Sequence, residues 1–173
     1  MSERASREWP VRLVRDGFTS PDPVLRPVVD QEEHLRLLEA KLVEEAIEAA
    51  REGAGVDELA DVTEVLSALL WLRHERLISD RDVAYGEWEA GDLYNGAGDL
   101  STLVAAAACA VAEPSSILRL ALVWSAIREA AGHLGACADD VLIAAEEKRA
   151  QRGGFTNGLV HTIRTYDFEE ERR

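Results

Sequence analysis

Two short acidic ladders are the part of this chain best suited to chemistry. The first is Glu44-Glu45-Ala46-Ile47-Glu48 and the second is Glu58-Leu59-Ala60-Asp61. Glu45 and Glu48 are three residues apart, as are Glu58 and Asp61, a spacing that puts both members of a pair on one face of a helix. Like charges stacked in this way repel, and a sequence selected for stability alone avoids them. A multivalent cation held between the two helices removes the repulsion. Carboxylates are hard oxygen donors, so the expected ion is magnesium, with manganese as its substitute.

Both ladders need helices that face each other. Asp30 is a good N-cap and Glu33 completes a capping box, which predicts a helix from about Gln31 to Glu52. Gly53-Ala54-Gly55 ends it, and a second helix runs from about Val56 to Glu75. So short a link makes the pair an antiparallel hairpin. Leu35, Leu38, Leu42, Glu45 and Ala49 recur on the first helix at steps of three and four, and Glu58, Asp61, Val65, Ala68 and Leu72 on the second. Each ladder therefore continues an apolar seam. Helical acids usually point to water, and Glu32, Glu33, Glu39 and Glu52 read that way. Four clustered carboxylates on a seam do not, because burying even one unpaired carboxylate costs several kcal/mol.

Further helices are expected over about 81–94, 101–113, 116–134 and 139–151. Asn95-Gly96-Ala97-Gly98, Pro114, Gly135 and Gly153-Gly154 punctuate them. The Ala-rich stretch from Ser101 to Glu113 is almost wholly apolar and is expected to be enclosed. Residues 1–29 read as an irregular arm, broken by Pro10, Pro21, Pro23 and Pro27, with the alternating Val11-Arg12-Leu13-Val14 as one short extended segment. The tail, 156–173, has Val160-His161-Thr162-Ile163 as a short strand and a frayed end. That leaves an all-α domain over 30–155, with an insert at about 79–133.

Composition narrows the partners. The chain has 173 residues, 47% hydrophobic and 30% charged, enough for one domain with a real core. A net charge of −14 argues against DNA or RNA, whose affinity rests on Lys and Arg neutralising phosphates. A small phosphorylated ligand remains compatible, because a bound metal reverses the local sign. Cys109 and Cys137 read as small buried thiols in a reducing compartment. Residues Met1 to Asp16 have no apolar core for a signal peptide, and Leu103 to Ala112 is too short to span a bilayer. The expected location is the cytoplasm, with no membrane partner.

The two ladders resemble the EExxE and ExxD motifs of the all-α nucleotide pyrophosphohydrolases, the MazG and phosphoribosyl-ATP pyrophosphohydrolase superfamily. Leu13-Val14-Arg15-Asp16 is similar to the LVRD opening of the phosphoribosyl-ATP branch. Lys148-Arg149-Ala150-Gln151-Arg152-Gly153-Gly154-Phe155 is similar to its closing segment. Gly17-Phe18 stands where that branch has Lys-Ile, and 79–133 stands where small members have a short connection. The resemblance implies a MazG-like four-helix-bundle core with additional inserted helices. The acid hairpin would supply half of that bundle, which the helices of 79–133 would complete within one chain or extend as the interface of a homodimer or other homo-oligomer.

The resemblance further implies Glu45, Glu48, Glu58 and Asp61 as magnesium ligands, with Glu44 orienting or deprotonating a water. The implied reaction is hydrolysis of a nucleoside triphosphate to monophosphate and pyrophosphate. Phosphoribosyl-ATP is the alternative substrate, and a non-catalytic nucleotide-binding or assembly protein the alternative class. Lys41 lies one turn before Glu45 and suits either a phosphate or an ion pair with that acid. Lys148 and Arg152 suit phosphates, or simply the negative end of their helix; Arg15 is a weaker candidate of the same kind. Trp71, Trp88 and Trp124 read as packing residues, Trp88 having the best claim to touch a base. The histidines His34, His74, His133 and His161 form no close pair and read as poor ligands.

Overall fold

A computed structural model of the chain describes residues 11–17, 25–53, 55–90 and 100–162. Helix α1, Gln31–Glu52, starts where Asp30 accepts the Glu33 N–H at 2.8 Å. The Glu33 carboxylate returns one residue earlier than a capping box requires, taking the Val29 N–H at 2.6 Å. Arg26 bonds the same carboxylate, and together they hold Glu33 down to a pKa of about 2. Gly53 closes the helix, and α2 follows as Val56–His74. The two run antiparallel: Gln31 at the start of α1 donates to the Leu72 carbonyl near the end of α2 (3.0 Å), and Arg73 pairs with Glu39 at 2.5 Å.

Four further helices complete the described part: α3 Asp80–Ala90, α4 Leu100–Ala112, α5 Ile117–His133 and α6 Ala138–Arg152. Helix α2 is the axis of the molecule, packed against α1, α5 and α6. It is therefore buried almost all round, with Leu59, Val62, Val65, Leu66 and Leu69 inside. The expected insert, 79–133, supplies α3, α4 and α5. Helix α4 lies on α1 and α5, and α3 lies on α5. The part of the expected 81–94 helix beyond Ala90 lies outside the described residues.

Helix α4, expected to be enclosed by other helices or by a partner chain, is covered on one face by its own chain. Leu103, Ala106, Ala107 and Ala110 are buried, at helical spacing, but Ala105, Ala108 and Cys109 are exposed. Among the described residues its neighbours are α1 and α5, which leave the other face of this apolar helix uncovered. Both cysteines are exposed and free, not the buried residues expected.

Three strands make a small antiparallel sheet in the order β1-β3-β2, so the chain is mostly helical without being purely so. Strands β1, Val11–Val14, and β3, Leu159–Thr162, fall where short extended segments were expected; Ile163 and the end of the tail lie outside the described residues. Strand β2, Leu25–Pro27, lay hidden in the proline-rich arm. It is an edge strand, where a residue without an N–H costs no ladder bond on the open side. Leu13 pairs with Val160 across the sheet, and both are buried in the main core. No helix among the described residues is long and apolar enough to cross a membrane.

The two faces of α4 provide a paired test. Ala107 is fully buried and Ala108 exposed. Ala107→Glu places an unpaired charge in the core and should unfold or aggregate the protein, whereas Ala108→Glu should melt within a few degrees of wild type. A soluble, cooperatively folded Ala107→Glu protein would show that α4 does not pack as described.

Candidate active site

The two ends of the described chain meet beside the hairpin. The Asp16 N–H donates to the Gly154 carbonyl at 2.7 Å and the Gly17 N–H to the Arg152 carbonyl at 3.1 Å. The Asp16 carboxylate accepts the N–H groups of Thr156 and Asn157 at 3.2 and 3.1 Å. No side chain fits at this crossing. A Cβ at Gly17 would lie 2.5 Å from the Arg152 carbonyl oxygen, and one at Gly153, where φ is +75°, would lie 2.4 Å from the Gly17 nitrogen. The backbone that these glycines admit is the chain's own. From the α1 side, the His34 imidazole donates to the Phe155 carbonyl at 2.7 Å and anchors the loop after α6.

This crossing sets Arg15 over the acids. Its guanidinium pairs with Asp61 and with Glu64, donates to the Gly153 carbonyl at 3.3 Å, and lies 5.0 Å above the Phe155 ring. Beside it opens a cavity of about 570 Å³. Glu45, Glu48 and Asp61 border it, together with Lys41, Arg15 and Arg152, six of the residues singled out from sequence. The other three do not border it, although Glu44 and Lys148 pair with residues that do. Glu44 pairs with Arg12 and with Lys41 (3.1 Å). Lys148 reaches Asp61 at 2.8 Å and the Asp57 carbonyl at 2.6 Å. Glu58 turns to its own helix start and accepts the Gly55 N–H at 2.8 Å. Trp88 lies in α3, and its side chain falls outside the described part of the structure.

Two participants escape sequence reading. Arg12, in β1, borders the cavity, pairs with Glu44 and lies 3.8 Å from Glu48. Glu64 stands one turn beyond Asp61 and extends the second ladder into the core, where its side chain is 4% exposed. A Glu inside the apolar run Val62-Thr63-Glu64-Val65-Leu66 was the available signal.

Burial raises the Glu45 carboxyl above the usual carboxylate range. Lys41 pulls it back, and the negative charges of Asp61 and Glu48 push it up again. Burial likewise raises Glu64, against the pull of Arg15. These acids thus sense one another across the hairpin, and as oxygen donors from two helices around one cavity they suit a hard divalent cation. Among the described residues, however, no three acidic, His or Cys side chains converge to ligating distance. Lys41 and Glu45 are paired, as are Lys148 and Asp61, so ammonium groups stand against the acids. Magnesium fits the donor set provided that it exchanges for them.

The raised carboxyls give a pH signature. Folded Glu45 and Glu64 hold a proton more tightly than the unfolded chain, whose usual value is 4.5. From that value up to the raised ones the folded state binds more protons, so each group makes stability fall as pH rises through the window. Glu45→Gln and Glu64→Gln should each flatten this part of the stability curve in urea titrations. A wild-type slope kept in full by both variants would contradict the burial of these acids.

Compared with protein families, with curated proteins and with solved structures, the chain matches none.

Proposed function

We propose that the chain is a magnesium-dependent nucleotide pyrophosphohydrolase. Water attacks the α-phosphorus of a nucleoside triphosphate, the bridging bond to the β-phosphate breaks, and pyrophosphate leaves with the electron pair. One observation supports this reading most directly: Glu45, Glu48 and Asp61 border the same cavity as Arg12, Arg15, Lys41 and Arg152. Acids alone suit a bare cation and bases alone a bare anion. Both around one cavity suit a cation and a phosphate together. The motif resemblance points the same way.

Magnesium, when bound, neutralises phosphate oxygens and makes water a usable nucleophile near neutral pH. Glu45, Glu48 and Asp61 would hold it, joined by Glu58 once its carboxylate leaves the Gly55 N–H. Arg152 forms no ion pair among the described residues, so its guanidinium has charge to offer a phosphate. Arg12 and Lys41 now hold Glu44. When phosphates draw them off, the freed Glu44 carboxylate accepts the proton of the attacking water. A second reading, nucleotide binding without turnover, draws on the ion pairs that already neutralise Glu45 and Asp61.

Pyrophosphate release from a panel of nucleoside triphosphates and phosphoribosyl-ATP, with and without magnesium, separates these readings. Release is expected with magnesium only, and Glu45→Gln and Glu48→Gln should abolish it while remaining folded. Magnesium should raise wild-type stability by about 2.7 kcal/mol at about a hundred times its Kd, and Asp61→Asn should lose that gain. Near wild-type turnover in Glu45→Gln would rule the site out, and saturable nucleotide binding without release would favour the second reading. Arg152→Ala should lower kcat/KM about ten- to a hundredfold, the worth of one charge-assisted hydrogen bond. Unchanged kinetics with a lowered Tm would instead assign Arg152 to capping its helix.

A further inference from the structure

Phe155 also borders a second cavity, of about 390 Å³, between α2 and α6. Its character differs from the first. Ala68, Leu72 and Leu142 give it apolar sides, and Trp71 stands at it with 60% of its surface exposed. That exposure corrects the expectation of Trp71 as a packing residue. A large aromatic ring left in water beside an apolar cavity offers a face for another flat ring.

Glu64 borders this cavity. One carboxylate oxygen is taken by Arg15, while the other, Oε1, is buried and has no hydrogen-bond partner. A buried carboxylate oxygen without a donor is costly, and native proteins rarely leave one so. It is shielded from the cavity as the side chain stands, and an N–H entering there would meet it once the carboxylate turns toward the cavity. Arg15 ties the two cavities together, with Asp61 of the first on one guanidinium nitrogen and Glu64 of the second on the other.

We propose that the second cavity takes the base of the nucleotide whose phosphates occupy the first, and that Glu64 selects bases with an amino group at the inserted edge. Adenine, cytosine and guanine offer that group. Uracil and thymine present an N–H flanked by two carbonyl oxygens, which a carboxylate repels. The assignment of one nucleotide to both cavities rests on the phosphate reading of the first; the second cavity can be tested without it.

Free nucleosides are the probe, because they have no phosphate. Titrations followed by tryptophan fluorescence and by calorimetry should show adenosine binding about ten- to a hundredfold tighter than purine riboside, which lacks only the amino group. Cytidine should outbind uridine by a similar factor. Glu64→Gln should bring both ratios to within about threefold, and Trp71→Ala should weaken all nucleosides while keeping the ratios. The adenosine and purine riboside pair keeps the test alive on wild-type protein should Glu64→Gln fail to fold. Amino-selective nucleoside binding without pyrophosphate release would support this pocket and overturn the proposed reaction. Equal binding of the two purine nucleosides, or a preference that Glu64→Gln retains, would overturn the pocket even if the protein hydrolyses triphosphates.

Discussion

The Arg15 guanidinium is the contact on which the arrangement of the site depends. Its side chain is only 16% exposed, and it answers two acids of α2, a carbonyl after α6 and an aromatic ring in the closing loop. Removing one partner from a buried ion pair costs about 3–5 kcal/mol, because the other charge is stranded. Here Asp61 and Glu64 would both be stranded. Arg15 can reach them only because Gly17 and Gly153 let the two ends of the chain cross at backbone contact. Strand pairing between β1 and β3 then fixes the angle at which Arg12 and Arg15 approach α1 and α2. A small sheet in a helical protein thus has a chemical consequence: it aims two guanidinium groups at the acid hairpin.

Charge balance offsets the mutual repulsion of the hairpin's acids. The chain is acidic overall, at −14, yet Arg12, Arg15, Lys41 and Lys148 all pair with acids of the hairpin. Lys41 is itself buried and pairs with Glu45 across one helical turn, while Lys148 reaches over from α6 to Asp61. Each ammonium neutralises a carboxylate that would otherwise repel its neighbours across the hairpin. Burial, with a smaller push from Asp61 and Glu48, keeps the Glu45 carboxyl above its usual range despite Lys41.

Much of this was legible in the sequence, and the limits follow from what one-dimensional patterns contain. Helix ends were readable because local chemistry decides them: Asp30 caps, Gly53 and Gly153 stop, and the helical period of apolar residues does the rest. Glu45 and Asp61 were readable because an acid on an apolar seam needs an explanation. Glu58 sits on the same seam, yet its carboxylate is engaged by the helix start, a contact whose strength pattern alone does not weigh. Arg12 was out of reach because strand alternation says which residues share a face but not which helix that face meets. Strand β2 was hidden by its prolines, which an edge position tolerates. The half-exposed α4 shows the converse failure: composition predicts burial for every alanine, whereas the number of neighbouring helices decides it.

The ion pairs around the cavity also bear on how the proposed reaction would be ordered. A cation that takes Glu45 must displace Lys41, and one that takes Asp61 must displace Lys148 and loosen Arg15. Those displaced groups are positively charged, and they would stand beside the cavity that took the metal. Left there without an anion they would repel it. Phosphate oxygens would supply the anion, so metal and nucleotide would each make the other's binding more favourable, and by linkage the coupling would be reciprocal. Either ligand alone would have to break internal ion pairs at a net electrostatic cost, whereas both together exchange each pair for another. The same residues that pair with the hairpin's acids would then favour joint loading of metal and substrate, with the ion pairs of Lys41, Lys148 and Arg15 as the element that both ligands would bias.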